Sequence, residues 1–210
     1  MENVSMDRPK RTLLYSSVMA LYALLARLVF RMRFIGREHI PQAGSYIIMA
    51  NHVCLLDPLT LAMCDRSREI HFMGKKELFH NRFLAWVWRQ AHAFPVDRGK
   101  MDMAAIRTAM GVLRSGETLG IFPEGTRSRT GEMGPLLSGA SMLAMRGRVP
   151  VVPVYIAGRY RPFGKMTVVI GAPLPFDDLL AEGVNKETCD RFTARMQDAF
   201  VRLRAQSENF

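Results

Sequence analysis

Apolar and polar positions fall in uneven blocks along the chain. The first block, Thr12–Ala26 (TLLYSSVMALYALLA), carries no charge over 15 residues. As a helix it measures roughly 22 Å at ~1.5 Å per residue. Arg33–Pro41 (RFIGREHIP) predicts a short strand ending in a turn. Ser45–Asn51 (SYIIMAN) is apolar on both faces, as a strand inside a parallel sheet is. Pro58 opens a helix running to about Asp65, because proline suits a first turn and disfavours a helical residue before it. A strand at Glu69–Gly74 follows, then a helix over Glu77–Ala91 and a core strand at His92–Val96. Met103, Ile106, Met110 and Leu113 recur at helical spacing, and Gly116 ends that helix. Thr118–Phe122 (TLGIF) is the next strand, and a helix near Leu136–Arg146 leads to strands in Val149–Ile156 and Met166–Ile170. The last helix starts after Asn185, a favoured N-cap, with Phe192, Met196, Phe200 and Leu203 on one face.

Strands alternating with helices of this length imply βαβ units. The expected fold class is α/β, a mostly parallel central sheet flanked by helices and preceded by an N-terminal helix. Residues 1–31 form that helical segment and 32–210 the α/β domain. In such sheets ligands bind beyond the carboxyl ends of the strands.

With 210 residues there is room for one domain with a sizeable core, and a 49% hydrophobic content excludes a disordered chain. The net charge of +10 points to an anionic partner. Cys54, Cys64 and Cys189 form no paired motif, so small buried thiols in a reducing compartment are expected, with no disulfide framework and no metal site. The first apolar block is short for a bilayer core of about 30 Å. Arg27, Arg31 and Arg33 follow it where a secretory cleavage site would lie. An apolar helix flanked by arginines is expected to lie in a membrane interface, with a core helix of the domain as the alternative.

The chemistry is expected at strand ends. His52 follows a core strand, and Asp57 comes five residues later, just before Pro58. On one helix these side chains would diverge by about 140°. Pro58 makes the segment a loop, in which the two can fold back to touch. A carboxylate on one ring nitrogen fixes the tautomer and leaves the other nitrogen as a base. The alternative is that Asp57 only caps the helix.

Three more blocks follow predicted strands: MGKKELF (Met73–Phe79), FPVDRGK (Phe94–Lys100) and FPEGTRSR (Phe122–Arg129). VPVVPVYI (Val149–Ile156) completes the series. With the N-H-x-x-x-x-D pattern of Asn51–Asp57, this order resembles the glycerolipid acyltransferases, most closely the 1-acylglycerol-3-phosphate acyltransferases, from about Arg33 to Pro173. The resemblance implies that His52 is the general base and Asp57 its orienting partner. It implies that Arg98 and Arg127 bind the acceptor's phosphate, with Glu124, Gly125 and Thr126 in the same substrate-binding block. Lys75 falls at the family's K-x-E-L position, and Pro153 matches a structural motif. Cys54 stands where many members carry Ser.

The implied reaction moves a fatty acyl group from a thioester, on coenzyme A or acyl carrier protein, to the sn-2 hydroxyl of lysophosphatidic acid. No cofactor or metal is required. Arg suits a phosphate better than Lys, because its planar fork binds oxygens in pairs. The chain lacks G-x-S-x-G, so a serine acyl-enzyme is not indicated. The expected partners are the thioester donor, lysophosphatidic acid and an anionic membrane surface, not nucleic acid, with the enzyme on the cytoplasmic face of the cell membrane. Another acceptor, a lyso-aminolipid or glycerol 3-phosphate, stays open, as does a membrane-binding module without chemistry. His39, His71, His80 and His92 are expected to be structural, and Phe83, Trp86 and Trp88 to pack in the core.

Overall fold

The computed structural model describes residues 13–97, 102–128 and 130–210. Among these, seven strands form one sheet: β1 (Met32–Ile35), β2 (Tyr46–Ala50), β3 (Ile70–Lys75), β4 (Ala93–Val96), β5 (Thr118–Ile121), β6 (Val151–Gly158) and β7 (Met166–Ile170). Their order is β1-β7-β6-β2-β5-β3-β4. Only the β6–β7 pairing is antiparallel, so the expected α/β class with a mostly parallel sheet holds. β2 lies between β5 and β6 and buries all five of its side chains, which is why it reads as apolar on both faces.

The helices are α1 (Leu13–Leu28), α2 (Asp57–Ala62), α3 (Arg82–Gln90), α4 (Met103–Arg114), α5 (Ser138–Gly147), α6 (Asp177–Ala181) and α7 (Lys186–Ser207). Alternate residues of β2 separate two cores. Ile48 and Ala50 share one with Leu61 and Ala62 of α2. Ile47 and Met49 share the other with α4, Leu143–Met145 of α5, and Phe192, Met196, Phe200 and Leu203 of α7. The neighbouring strands β2 and β5 therefore send their connections to opposite faces of the sheet. A crevice opens at such a switch point, at the carboxyl ends of the strands. The side chain of Asn185 accepts from the Thr188 amide at 3.0 Å, and Thr188 Oγ1 accepts from the Asn185 amide at 3.0 Å, a capping box that starts α7 as predicted.

Several expectations are corrected. The predicted helix over Glu77–Ala91 is a 3₁₀ turn at Lys76–Phe79 followed by α3. Asn81 splits it: its side chain accepts from the amides of Phe83 and Leu84 and restarts the helix. β4 is an edge strand and not a core one, a place that tolerates Pro95, which has no amide to give a further neighbour. α3 buries only Ala85, so Phe83 (69% exposed) and Trp86 (51%) stack on one another at the surface instead of filling the core. α4 turns Ala105, Ala109, Val112 and Leu113 inward, and Met103 is exposed. All three cysteines are free, and burial pushes the Cys64 thiol up to about 12.

α1 carries two apolar stripes. Tyr15, Tyr22 and Ala26 are buried, the latter two beside Met63 at the end of α2. Leu14, Val18, Leu21, Leu25 and Leu28 recur at intervals of three and four on the outer side and are exposed. Among the described residues, no helix is long and apolar enough to cross a membrane.

Candidate active site

His52 and Asp57 meet as the loop geometry predicts. His52 Nδ1 lies 2.8 Å from Asp57 Oδ2, and Asp57 is fully buried. The same oxygen accepts from the amides of Val53 at 2.6 Å and Cys54 at 2.7 Å. The other oxygen, Oδ1, accepts from the Tyr160 hydroxyl at 2.8 Å. An ionised carboxylate is acceptor-only and takes all four. The Nδ1 proton is then committed to Asp57, and Nε2 carries the lone pair. Among the described residues nothing hydrogen-bonds Nε2. Asp57 opens α2 but caps none of its amides. Its carboxylate turns back to the loop, which decides between a cap and a partner for His52.

The loop is pinned from both neighbouring strands. Asn51 accepts from the Ile156 amide at 2.7 Å and donates to the Ile156 carbonyl at 3.0 Å, tying the end of β2 to β6. From the β5 side, Phe122 stacks on the imidazole with ring centres 4.1 Å apart. Glu124 Oε1 accepts from the His52 amide and Oε2 from the Gly134 amide, each at 2.8 Å. The His52 carbonyl accepts from the Ser128 amide at 2.8 Å. Glu124 thus holds backbone. Gly125 has φ +72°, and a Cβ there would lie 2.7 Å from Leu137 Cδ1. The positive φ strains any residue with a Cβ, so glycine suits the tight turn past the start of α5.

Thr126 and Arg127 are exposed on the same loop. Lys75 ends β3, on the same edge of the sheet, with its amine 3.2 Å from Glu77 and largely in solvent. Arg98 lies outside the described residues; Asp97 beside it ion-pairs with Lys76 at 2.5 Å. A cavity of about 840 Å³ begins beside this loop, at Phe122, Glu124 and Thr126. It runs between Met73, Ile106, Leu143 and Cys189 under α4 and α5, with Arg146 and Lys186 at its wall. No group of His, Cys, Asp or Glu among the described residues has the arrangement to hold a metal ion.

Sequence reasoning missed Asn51 as a clamp and Tyr160 as a donor to Asp57. Asn51 carried a signal, a polar side chain at the end of an otherwise apolar strand. Tyr160 carried none, being 103 residues from its partner.

Residues 31–157 match the family model described as Acyltransferase. The chain is 38% identical over 144 residues to the 1-acyl-sn-glycerol-3-phosphate acyltransferase of Bacillus subtilis, covering 66% of this chain and 71% of that one. It is 31% identical over 180 residues to the enzyme of that name from Streptococcus pneumoniae, covering 82% of this chain and 66% of the relative. The crystal structure of the 1-acyl-sn-glycerophosphate (LPA) acyltransferase PlsC from Thermotoga maritima superposes with a TM-score of 0.68 at 23% identity, over 97% of this chain and 84% of that one, a likeness of fold. The matched family span contains the whole His52–Asp57 loop and the Phe122–Ser128 loop that pins it, and the chain belongs to the acyltransferase family.

Proposed function

We propose that the protein transfers a fatty acyl group from a thioester, on coenzyme A or acyl carrier protein, to the free sn-2 hydroxyl of 1-acylglycerol 3-phosphate, giving phosphatidic acid. The observation that carries this is His52, held through Nδ1 by a buried carboxylate, with Nε2 unencumbered at the carboxyl edge of the sheet. Nε2 takes the proton as the acceptor oxygen attacks the thioester carbonyl. Asp57 steadies the imidazolium that forms. The tetrahedral intermediate collapses, the C–S bond breaks, and the imidazolium returns its proton to the departing sulfur. The apolar cavity supports the proposal, since a fatty chain needs apolar space within reach of the base, and Phe122, which lines the cavity, stacks on His52. Offered lysophosphatidic acid, glycerol 3-phosphate and a lyso-aminolipid in turn, the enzyme is expected to turn over the first fastest. Preference for the lyso-aminolipid would overturn the acceptor assignment.

Arg127 and Arg98 are proposed to hold the acceptor's phosphate. Arg127 sits on the loop that pins His52, and no described residue pairs with it. Arg127→Ala is expected to raise the acceptor KM about tenfold or more and to leave the thioester KM unchanged. Arg127→Lys should rescue poorly, because a point charge does not reproduce the fork. An acceptor KM unmoved in Arg127→Ala contradicts the role. Lys75 would supply a more distant positive charge, and Thr126 a hydroxyl at the rim.

α1 is proposed to rest on an anionic bilayer through its outer stripe. Each basic residue near such a surface contributes about 1 kcal/mol, and seven lie between Arg8 and Arg37. Full burial of one leucine adds at most about 1.5–3 kcal/mol. The inner stripe packs on α2, so deleting residues 1–31 would also expose core and would not isolate docking. Substitution of the exposed Leu21 and Leu28 by Glu is the cleaner test. Flotation with vesicles containing phosphatidylglycerol should fall severalfold while thermal stability holds. Flotation equal to that of the unaltered protein contradicts docking through this stripe.

A further inference from the structure

We propose that Tyr160 is a positioning residue of the dyad and that, through Thr60 and Tyr22, it fixes the Asp57 carboxylate relative to α1. The proposal rests on His52 being the base.

Three hydroxyls lie in line behind Asp57. Tyr160 is 2.8 Å from Asp57 Oδ1, Thr60 Oγ1 is 2.8 Å from the Tyr160 oxygen, and the Tyr22 hydroxyl is 2.5 Å from Thr60 Oγ1. Each hydroxyl has one proton to give. Tyr160 must spend its proton on Oδ1, because an ionised carboxylate has none to offer. Thr60 must then donate to Tyr160, and Tyr22 to Thr60. The chain has one direction, and each bond polarises the next toward the carboxylate. Burial pushes the Tyr160 phenol far above its ordinary range and the Tyr22 phenol up to about 12, so both keep their protons at neutral pH.

The anchors of this chain are buried in packed helices. Thr60 is fully buried in α2, and Tyr22 is on the inward stripe of α1. The Tyr160 ring stands edge-on to Phe30, just past α1, with centres 5.5 Å apart. The consequence for His52 is geometric. Among the described residues, three of the four donors hold Oδ2, and Tyr160 alone holds Oδ1. A carboxylate held at one oxygen swings about it, and the imidazole follows. Held at both, its plane is fixed. Tyr160 lies beyond the 31–157 span of the family match, so this support comes from a part of the chain that the match does not reach.

Tyr160→Phe removes the hydroxyl and keeps the ring on Phe30. The expected kcat falls about tenfold, the scale of one lost hydrogen bond to a charged group, with both KM values unchanged. The acid limb of the kcat/KM profile should also move to higher pH. A carboxylate with one donor fewer holds the imidazolium proton more firmly. The other ionisable groups at the loop, Glu124 from the β5 side and Cys54 within it, are untouched by the change. Thr60→Val breaks the next link and should move kcat and the acid limb in the same directions by less. In a His52→Ala background, Tyr160→Phe should have no further effect. A folded Tyr160→Phe with kcat within twofold of the parent and an unmoved pH profile overturns the proposal. If that variant does not fold, an unmoved profile in Thr60→Val overturns it equally. A His52→Ala enzyme that keeps its turnover overturns the base assignment and this proposal with it. An inactive His52→Ala beside an unaffected Tyr160→Phe overturns this proposal alone.

Discussion

Purified His52→Ala is expected to lose acyl transfer by about 10²–10⁴-fold, the usual range for removing a positioned general base. The protein should remain folded. The change removes one of four donors to Asp57 and one face of a stack with Phe122, a cost of about 1–3 kcal/mol in all. Asp57→Asn should lose less, on the order of tenfold to a hundredfold, and for a specific reason. The amides of Val53 and Cys54 both point at Oδ2, so an asparagine there turns its oxygen to that position. The His52 Nδ1 proton keeps its acceptor and the tautomer survives. What disappears is the negative charge that steadies the imidazolium, and the new amide nitrogen faces the Tyr160 hydroxyl, which must turn from donor to acceptor. Asp57→Ala removes charge and acceptor together and should be the worse of the two. Parent-level activity in His52→Ala, measured as thiol release at saturating substrates, contradicts the assignment of the base.

The second large effect is expected at Glu124. Its two oxygens satisfy the amides of His52 and Gly134, so Glu124→Ala strands two backbone donors. Each costs about 1–3 kcal/mol where water cannot replace the carboxylate. Glu124 is only partly buried, so a total near 2 kcal/mol is expected. The kinetic loss should be greater than that stability suggests. The lost bond leads directly to the backbone of His52, the proposed base, and a misplacement of about 1 Å at a catalytic group can cost a hundredfold. Glu124→Gln keeps one acceptor oxygen and should fall between. The split between kcat and KM discriminates: a clamp lowers kcat at constant KM, whereas a substrate ligand raises KM. A raised KM with kcat intact would return Glu124 to the substrate-binding role that its motif implied.

Much of this was legible in the chain because its causes are local. The doubly apolar run at Ser45–Asn51 is apolar because the strand has neighbours on both edges and helices on both faces. Pro58 lies in the first turn of α2, which begins one residue earlier at Asp57, and so marks the segment before it as the loop from which His52 reaches Asp57. The Asn185 cap and the Phe192–Leu203 stripe of α7 were readable for the same reason. Periodicity misled where two elements compete for one apolar run. Asn81 broke a helix that hydrophobic spacing alone would continue, and the aromatic residues of α3 marked a surface. The strand at Ala93–Val96 sits at an edge, and its own residues do not encode how many neighbours it has. The support behind the dyad was hidden altogether. Tyr22, Thr60 and Tyr160 come from three segments, and only the sheet order brings them together. The cap reading of Asp57 could not be set aside from spacing, because a residue before a helical proline serves equally well as a cap.

The central claim, a His52-dependent transfer from thioester to lysophosphatidic acid, is tested most directly by thiol release measured alongside product. Acyl-coenzyme A and acyl carrier protein thioesters should each be supplied with and without lysophosphatidic acid. The expected result is one phosphatidic acid per thiol with at least one of the two donors, little release without acceptor, and neither product with His52→Ala. Thiol release that does not depend on the acceptor, or phosphatidic acid formed at the parent rate by His52→Ala, would contradict it.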